Sequence, residues 1–597
     1  MFNKKQWSFV FVWLMLTTSA ISQKSHEIIV LPESEASHFI YQVTAEGDTT
    51  RFFGLGIYID LLHPKYFQAY DFRHNRIPDD QLFHSLTSAY NLIYARFTYT
   101  GPMVRRPAFY DTLIRDNAFI MGAGHLPWYL RSTYSTSGVE LLNREDQASL
   151  ASRINREAFG KTFQEIVDFA GESNLIINLL DEPERGGYGG SWFYSRETLQ
   201  LMYELASKHG LVSLGLGPVG SAEGRGTGNK LTWSIENPNS WFRNPSERMI
   251  RRTSSNWKQI LDKMLTYYEG TYDIIYLNSY AFQIAEPSRT GSIVREMLRH
   301  PTINASKPVL PWISTENFRY GNVDIAVSNI RRQTFSAIAN EAAGIMFYPD
   351  TRVDGTSKND EQLWEASFDL VKELNFFRPV LERGKMLGNS ANGNQEWILF
   401  EYKENEFLFF VNHRDAAVSL SEPGTLTAGR LESGVWYRTL GEHAFKRFQY
   451  PTNATFFRDE LLLDGITDTS RIKIDTRMAK IGAQSLKMES HTVNNIEASK
   501  RLDIIPGLNY EITVWTYGCE LSDPYLRIAI YSGDAFLTQI ESKSIKDEND
   551  GCPIGWNKLN VVTDKLSRDA THLDFFFGVR PSKEKSTTWF DDINVRF

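Results

Sequence analysis

The chain is poor in cysteine: Cys519 and Cys552 are the only two in 597 residues. Two thiols cannot complete a structural zinc site alone, and they exclude the disulfide framework that holds many small secreted domains together. One bridge between them and two free buried thiols both fit the spacing. Long apolar runs are also missing. The run from Trp7 to Leu16 is well short of the ~20 residues that span a bilayer, so no membrane span is expected. Basic residues are in deficit, 64 against 72 acidic ones, for a formal net charge of -8. An acidic chain gains no counterion release on a polyanion, which argues against nucleic acid as a partner. No His-x-His, His-Glu-x-x-His or Gly-x-Ser-x-Gly spacing occurs, so metal-dependent and serine hydrolases lack support. The glycine-rich stretch 215–228 has no helix start directly after it, which suits a loop rather than a dinucleotide site.

What is present begins with an export signal. Lys4 and Lys5 precede the apolar run, and small or polar residues follow to Ser22. These proportions predict a signal peptide over 1–22 and a secreted or periplasmic mature protein. Hydrophobic residues make up 42%, enough for packed cores, and aromatics 13%.

From about 50 to 384, short apolar runs alternate with helix-like segments. The strand candidates are 52–59, 92–99, 118–124, 175–182, 212–218, 272–280, 309–316 and 344–350. Runs of this kind suit parallel strands buried on both faces. Helical spacing is clearest over 144–173, 195–209, 246–268, 324–343 and 360–377. Eight such units predict an α/β fold, a (β/α)8 TIM barrel over 50–384. After Pro379 the rhythm becomes short strands and turns. This predicts a small antiparallel β-domain over 385–464 and a β-sandwich over 465–597.

Barrel enzymes carry their chemistry at the C-terminal strand ends. The fourth run meets Asp181-Glu182-Pro183, and the seventh meets Thr315-Glu316-Asn317. A glycosidic bond has a poor leaving group that must be protonated as it breaks, and an anomeric carbon that must be attacked or stabilised. Two carboxyl groups perform both tasks without a metal or other cofactor. Trp128, Trp192 and Trp312 are candidate sugar platforms, and His125, after the third strand, is a candidate subsite residue.

With these residues in place, the barrel resembles the clan A retaining glycoside hydrolases. Those enzymes carry an acid/base Glu after strand four, often as Asn-Glu-Pro, and a nucleophilic Glu at the end of strand seven. The resemblance implies Glu182 as acid/base and Glu316 as nucleophile. It further implies Arg96 and Tyr280 as supports of the nucleophile. Asp181 stands where the family has an Asn that contacts the substrate 2-hydroxyl. Tyr348 is the nearest aromatic to the family's Trp after strand eight.

Residues 465–597 are similar to the carbohydrate-binding β-sandwich modules of secreted cellulases and xylanases. The cues are 482–487, 506–510, Gly555-Trp556-Asn557 and Trp589-Phe590-Asp591-Asp592. Leu486 and Tyr510 should begin inward-facing strands, and Trp556 and Trp589 should fill the sandwich or line its groove. Asp591 and Asp592 offer oxygen ligands to a structural calcium. The expected function is a secreted glycoside hydrolase acting on a poly- or oligosaccharide, with a β-linked substrate expected. The alternatives are a glycan-binding protein with a degenerate barrel, and a polysaccharide lyase or transglycosylase.

Overall fold

The computed structural model describes residues 26–30, 38–44, 46–59, 89–97, 119–124, 175–181, 196–217, 257–278, 287–303, 306–314, 323–348, 358–451, 472–475, 485–490, 496–518, 522–545, 555–580 and 586–597, with scattered helical positions between 155 and 167. Three short strands come first: β1 (His26–Val30), β2 (Ile40–Thr44) and β3 (Thr49–Phe52), an antiparallel sheet. Eight parallel strands follow: β4 (Gly54–Ile59), β5 (Leu92–Phe97), β6 (Phe119–Gly124), β7 (Leu175–Asp181), β8 (Leu211–Leu216), β9 (Ile274–Asn278), β10 (Val309–Ser314) and β11 (Gly344–Tyr348). Each pairs with the next, and β11 returns to β4, so the sheet closes into a barrel. Described helices of the outer layer are α1 (Arg196–Ala206), α2 (Trp257–Tyr267), α3 (Ser288–Arg299), α4 (Val323–Ala339) and α5 (Lys358–Arg383). The (β/α)8 barrel is therefore as expected from the alternation. All eight anticipated strands are present.

Period-two alternation sorts the strand residues into two cores. Leu92, Tyr94, Ile176, Ile274, Tyr276, Leu310, Trp312 and Met346 fill the barrel interior. Ile57, Ile93, Ile177, Val212, Leu214, Ile275, Ile313 and Phe347 join the core shared with the helices. Interior bulk is balanced by glycine. A Cβ on Gly215 would overlap the Tyr276 ring, and one on Gly56 would overlap the Met346 thioether. Gly344 differs, because its Cβ would meet the backbone of Gly54 on the paired strand. Gly344→Ala should therefore cost about 1–3 kcal/mol in chemical denaturation. Gly56→Ala should cost less, since the end of Met346 can swing aside. Equal costs would contradict this packing account.

The amino-terminal sheet was not anticipated from the sequence. β3 leads into β4 at Gly54, which puts the sheet at the N-terminal ends of the barrel strands. Ile28, Ile40 and Phe52 belong to the same core as the barrel interior and plug that end. Polar ties fix the plug. Arg51 donates to the carbonyls of Glu382 and Gly384, and Phe53 N–H donates to Glu382 Oε1 at 3.3 Å. Burial pushes the Glu382 carboxyl above the usual carboxylate range, against the opposing pull of Arg378. His38 pairs with Glu341 at 3.1 Å, and the hydrogen bond from this imidazole holds the Glu341 carboxyl below its usual range despite burial.

α5 is the hub of the molecule. On one side it closes the barrel's helix layer. On another it meets a five-stranded antiparallel sheet ordered β12-β13-β14-β17-β18. The strands are β12 (Lys385–Ala391), β13 (Gln395–Tyr402), β14 (Asn405–Asn412), β17 (Ser433–Thr439) and β18 (Lys446–Arg447), with the hairpin β15 (Val418–Leu420) and β16 (Leu426–Ala428) on the sheet's far face. Phe376 and Phe377 pack against Phe407, Phe409 and Phe448 of this sheet.

The last region is a β-sandwich. One sheet is ordered β19-β20-β27-β22-β25 and the other β21-β26-β23-β24. The first sheet comprises β19 (Ile472–Asp475), β20 (Ser485–Ser490), β22 (Glu511–Tyr517), β25 (Trp556–Val562) and β27 (Ser586–Arg596). The second comprises β21 (Ile496–Asp503), β23 (Asp523–Ser532), β24 (Ala535–Glu541) and β26 (His572–Arg580). Leu486 and Tyr510 are fully buried, as expected, and Tyr510 OH donates to the Ile505 carbonyl. The sandwich docks on α5 without a gap in the core. Phe376 packs on Tyr510 and Phe597, and Val595 N–H donates to Tyr450 OH. Lys372 Nζ lies 2.5 Å from Asp592 Oδ1 and donates to the Ile593 carbonyl, with both charged side chains almost completely buried. The barrel and the two β-regions share one continuous apolar core.

Candidate active site

The plug lies at the opposite end of the barrel from its C-terminal mouth, where loop-borne chemistry collects in this fold. The interior just below that mouth is polar. Asn178 on β7, 1% exposed, donates from Nδ2 to Tyr94 OH at 2.9 Å. Ser213 Oγ donates to Asn178 Oδ1 at 3.2 Å, and the Tyr94 and Tyr276 hydroxyls are 3.4 Å apart. Each of these groups has partners inside the barrel, so the polar atoms cost little to bury. The network ties β5, β7, β8 and β9 together directly beneath the strand ends.

Trp312 forms the wall of this floor. Its ring stacks on Tyr276 with centroids 5.0 Å apart and meets Tyr94 edge-on at 4.9 Å. At 1% exposure it offers no face to a ligand, so the expectation of a sugar platform is corrected. The physical reason is depth. Trp312 occupies the middle of β10, two residues before Ser314 at the strand's end, where an inward side chain meets other interior side chains.

The strand register places the remaining positions. Arg96 lies on β5 two residues beyond Tyr94 and pairs with Ala123. Tyr348 is the last residue of β11 and pairs with Ser314. β7 carries a bulge: Asn178 pairs with Ser213, whereas Asp181 pairs with Gly215, so β7 holds one extra residue between them. Bulges of this kind re-aim a strand and are frequent beside active sites. Here the bulge brings the backbone of Asp181, rather than that of Leu180, into register with an interior position. β7 ends at Asp181, one residue before Glu182 in the chain, and β10 ends at Ser314, two before Glu316. Two strands, β8 and β9, separate β7 from β10 on one side of the ring, and four on the other. Glu182, Glu316, Tyr280, His125, Trp128 and Trp192 lie outside the described residues, as do Cys519, Cys552 and 1–22.

In the sandwich, Asp591 and Asp592 are both buried. The Asp592 carboxylate faces the Lys372 ammonium, and Asp591 Oδ1 accepts from the Asp592 N–H at 2.7 Å. A cation of the chain itself already sits at Asp592. This donor set does not fit a calcium ion, which needs six to eight oxygen ligands. Among the described residues, no group of three or more His, Cys, Asp or Glu is arranged to hold a metal, and no helix is long and apolar enough to cross a membrane.

No family model matches the chain, and no curated protein matches it. Matches among solved structures include a GH30 endoxylanase from Clostridium papyrosolvens, with 11% identity, TM-score 0.35, and coverage of 88% of this chain and 96% of that one. An α-amylase from Anoxybacillus matches with 8% identity, TM-score 0.36, and coverage of 65% and 98%. The module TmCBM61, solved with β-1,4-galactotriose, covers 25% of this chain and 98% of its own, with 15% identity and TM-score 0.19. The fold itself rests on the strand order and register described above.

Proposed function

We propose that this protein is a glycoside hydrolase that cleaves a β-linked poly- or oligosaccharide by a retaining mechanism. The reading is carried by one observation. Two glutamates, Glu182 and Glu316, follow in the chain after the C-terminal ends of β7 and β10, the strand ends opposite the plug. In the first step a Glu316 carboxylate oxygen bonds to the anomeric carbon. The bond to the leaving oxygen breaks, and that oxygen takes the Glu182 proton. In the second step Glu182 accepts a proton from water, whose oxygen displaces Glu316 from the anomeric carbon. Arg96 and Tyr280 would hold Glu316 ionised and aligned. Asp181 would face the sugar. The amino-terminal 1–22 would direct export.

The test is incubation of the full chain with xylan, β-1,4-galactan, mannan and mixed-linkage β-glucan, with products read by chromatography and by NMR of the first-formed anomer. Release of reducing sugar with retained configuration is expected. Inverted products would overturn the mechanism. Unsaturated products absorbing in the ultraviolet would instead identify a lyase, and binding without products a glycan-binding barrel.

A further inference from the structure

The five-stranded sheet of the sandwich has a core face and an outer face. Leu559, Val561 and Phe590 mark the core face. Lys558, Asn560 and Val562, on the alternate positions of β25, are exposed and mark the outer one. Alternation should leave that outer face polar. Instead Trp556, Tyr517 and Trp589 form a row across three neighbouring strands. Tyr517 pairs with Trp556 on one side and with Trp589 on the other. Ring centroids are 5.6 Å apart in the first pair and 5.8 Å in the second. Tyr517 and Trp589 are partly exposed, whereas Trp556, at 7% exposure, is buried and backs the Tyr517 ring. The Trp589 indole N–H donates to Asp475 Oδ2 at 3.2 Å, which fixes the ring's orientation.

The row is bordered by Lys487, which pairs with Trp589 across the strands and contacts Glu489 at 2.8 Å. Asp475, Glu489, Lys487 and Lys558 thus balance two carboxylates against two ammonium groups. A mixed-sign border round aromatic rings disfavours a polyanion. It suits an uncharged ligand with apolar C–H faces and outward hydroxyls, which is the chemistry of a neutral sugar chain.

The position of the row relative to the barrel follows from the docking of β27. Lys372 of α5 holds Asp592, and Phe376, one turn on, packs on Phe597. α5 and β27 therefore advance in the same direction. Because α5 follows β11, its start lies on the mouth side of the barrel and its end at the plug. Trp589 precedes Asp592 by three residues, about 10 Å of strand, so the row is displaced toward the mouth side. Since the docking core is continuous, that displacement is fixed rather than averaged over a flexible linker.

We propose that the Tyr517–Trp589 pair, backed by Trp556, is a glycan subsite on the barrel's own substrate path, holding one uncharged polysaccharide chain that also occupies the mouth. The path through the mouth rests on the glycosidase reading; the row as a binding site does not. The experiment uses the full chain with Glu316→Gln to prevent turnover, titrated calorimetrically with xylan, β-1,4-galactan, mannan and mixed-linkage β-glucan and with their trisaccharides. Tyr517→Ala combined with Trp589→Ala should weaken binding of at least one polymer tenfold or more. In the otherwise wild-type chain the same pair should lower kcat/KM for that polymer at least fivefold relative to its trisaccharide. Trp589→Phe, which keeps a ring and its packing, should recover most of the affinity. Unchanged polymer affinity in a variant with an unaltered unfolding midpoint overturns the subsite. So does a loss of affinity that is the same in Trp589→Phe, which would mark the row as structural. A polymer-to-trisaccharide ratio that does not move overturns the shared path. If polymer binds at the row but the unmutated chain cleaves nothing, the glycosidase reading fails and the subsite stands.

Discussion

Replacing Glu316 with alanine is expected to lower turnover of the preferred polysaccharide by about a thousandfold or more, and Glu182→Ala by about 10²–10⁴-fold, the range contributed by a positioned general acid or base. The two losses should differ in how they respond to azide. In Glu316→Ala the small anion fits the space of the lost carboxylate and attacks the anomeric carbon in its place. The expected product is a glycosyl azide of inverted configuration. In Glu182→Ala the nucleophile is intact, and azide intercepts the glycosyl-enzyme from the other side, so the azide retains configuration. Opposite anomers from the two variants would assign both roles in one experiment. Full activity in either variant removes that residue from the mechanism. With both side chains intact, the carboxyl groups should stand about 5–5.5 Å apart, the separation that suits retention.

The second large effect is on stability. Lys372→Met should destabilise the protein by about 3–5 kcal/mol, because it leaves the Asp592 charge buried without its partner. The double variant Lys372→Met with Asp592→Asn should be markedly more stable than Lys372→Met alone, since no unpaired charge remains. Denaturant titration followed by tryptophan fluorescence gives both numbers and the coupling between the sites. A neutral single variant would show that the pair contributes nothing to the docking of the sandwich. Unfolding should occur in one transition, because Phe376 and Tyr450 join the sandwich to the rest of the core.

Much of this architecture is legible in the sequence, for a physical reason. Parallel barrel strands are buried on both faces, so each appears as an uninterrupted apolar run, and the runs are spaced by helices. α3 was less visible. Thr290 and Gly291 resemble a loop, yet Gly291 is required there because a Cβ would strike the Ser336 carbonyl of α4. The plug was hidden because β1, β2 and β3 are short and partly polar, and their apolar residues find their partners inside the barrel. Depth was hidden as well. Inward positions recur every second residue, so the pattern could not separate Trp312, in the middle layer, from a residue at the mouth. The bulge after Asn178 leaves no mark that spacing can reveal, and it alters which residue shares the register of Gly215. Asp592 was recognisable as an acidic neighbour of Asp591, but its partner lies 220 residues away on α5.

The plug has a consequence for the order in which the molecule can be completed. Its strands are made first, yet the groups that secure them are made much later: Glu341 for His38, and the Glu382 and Gly384 carbonyls for Arg51, more than 300 residues downstream in each case. A chain growing from its amino end cannot seal the base of its barrel until α5 has been synthesised. The apolar cover of Ile28, Ile40 and Phe52 is itself incomplete until Ala343 and Met346 have been made, so closure is a late event that joins the two ends of the barrel's sequence.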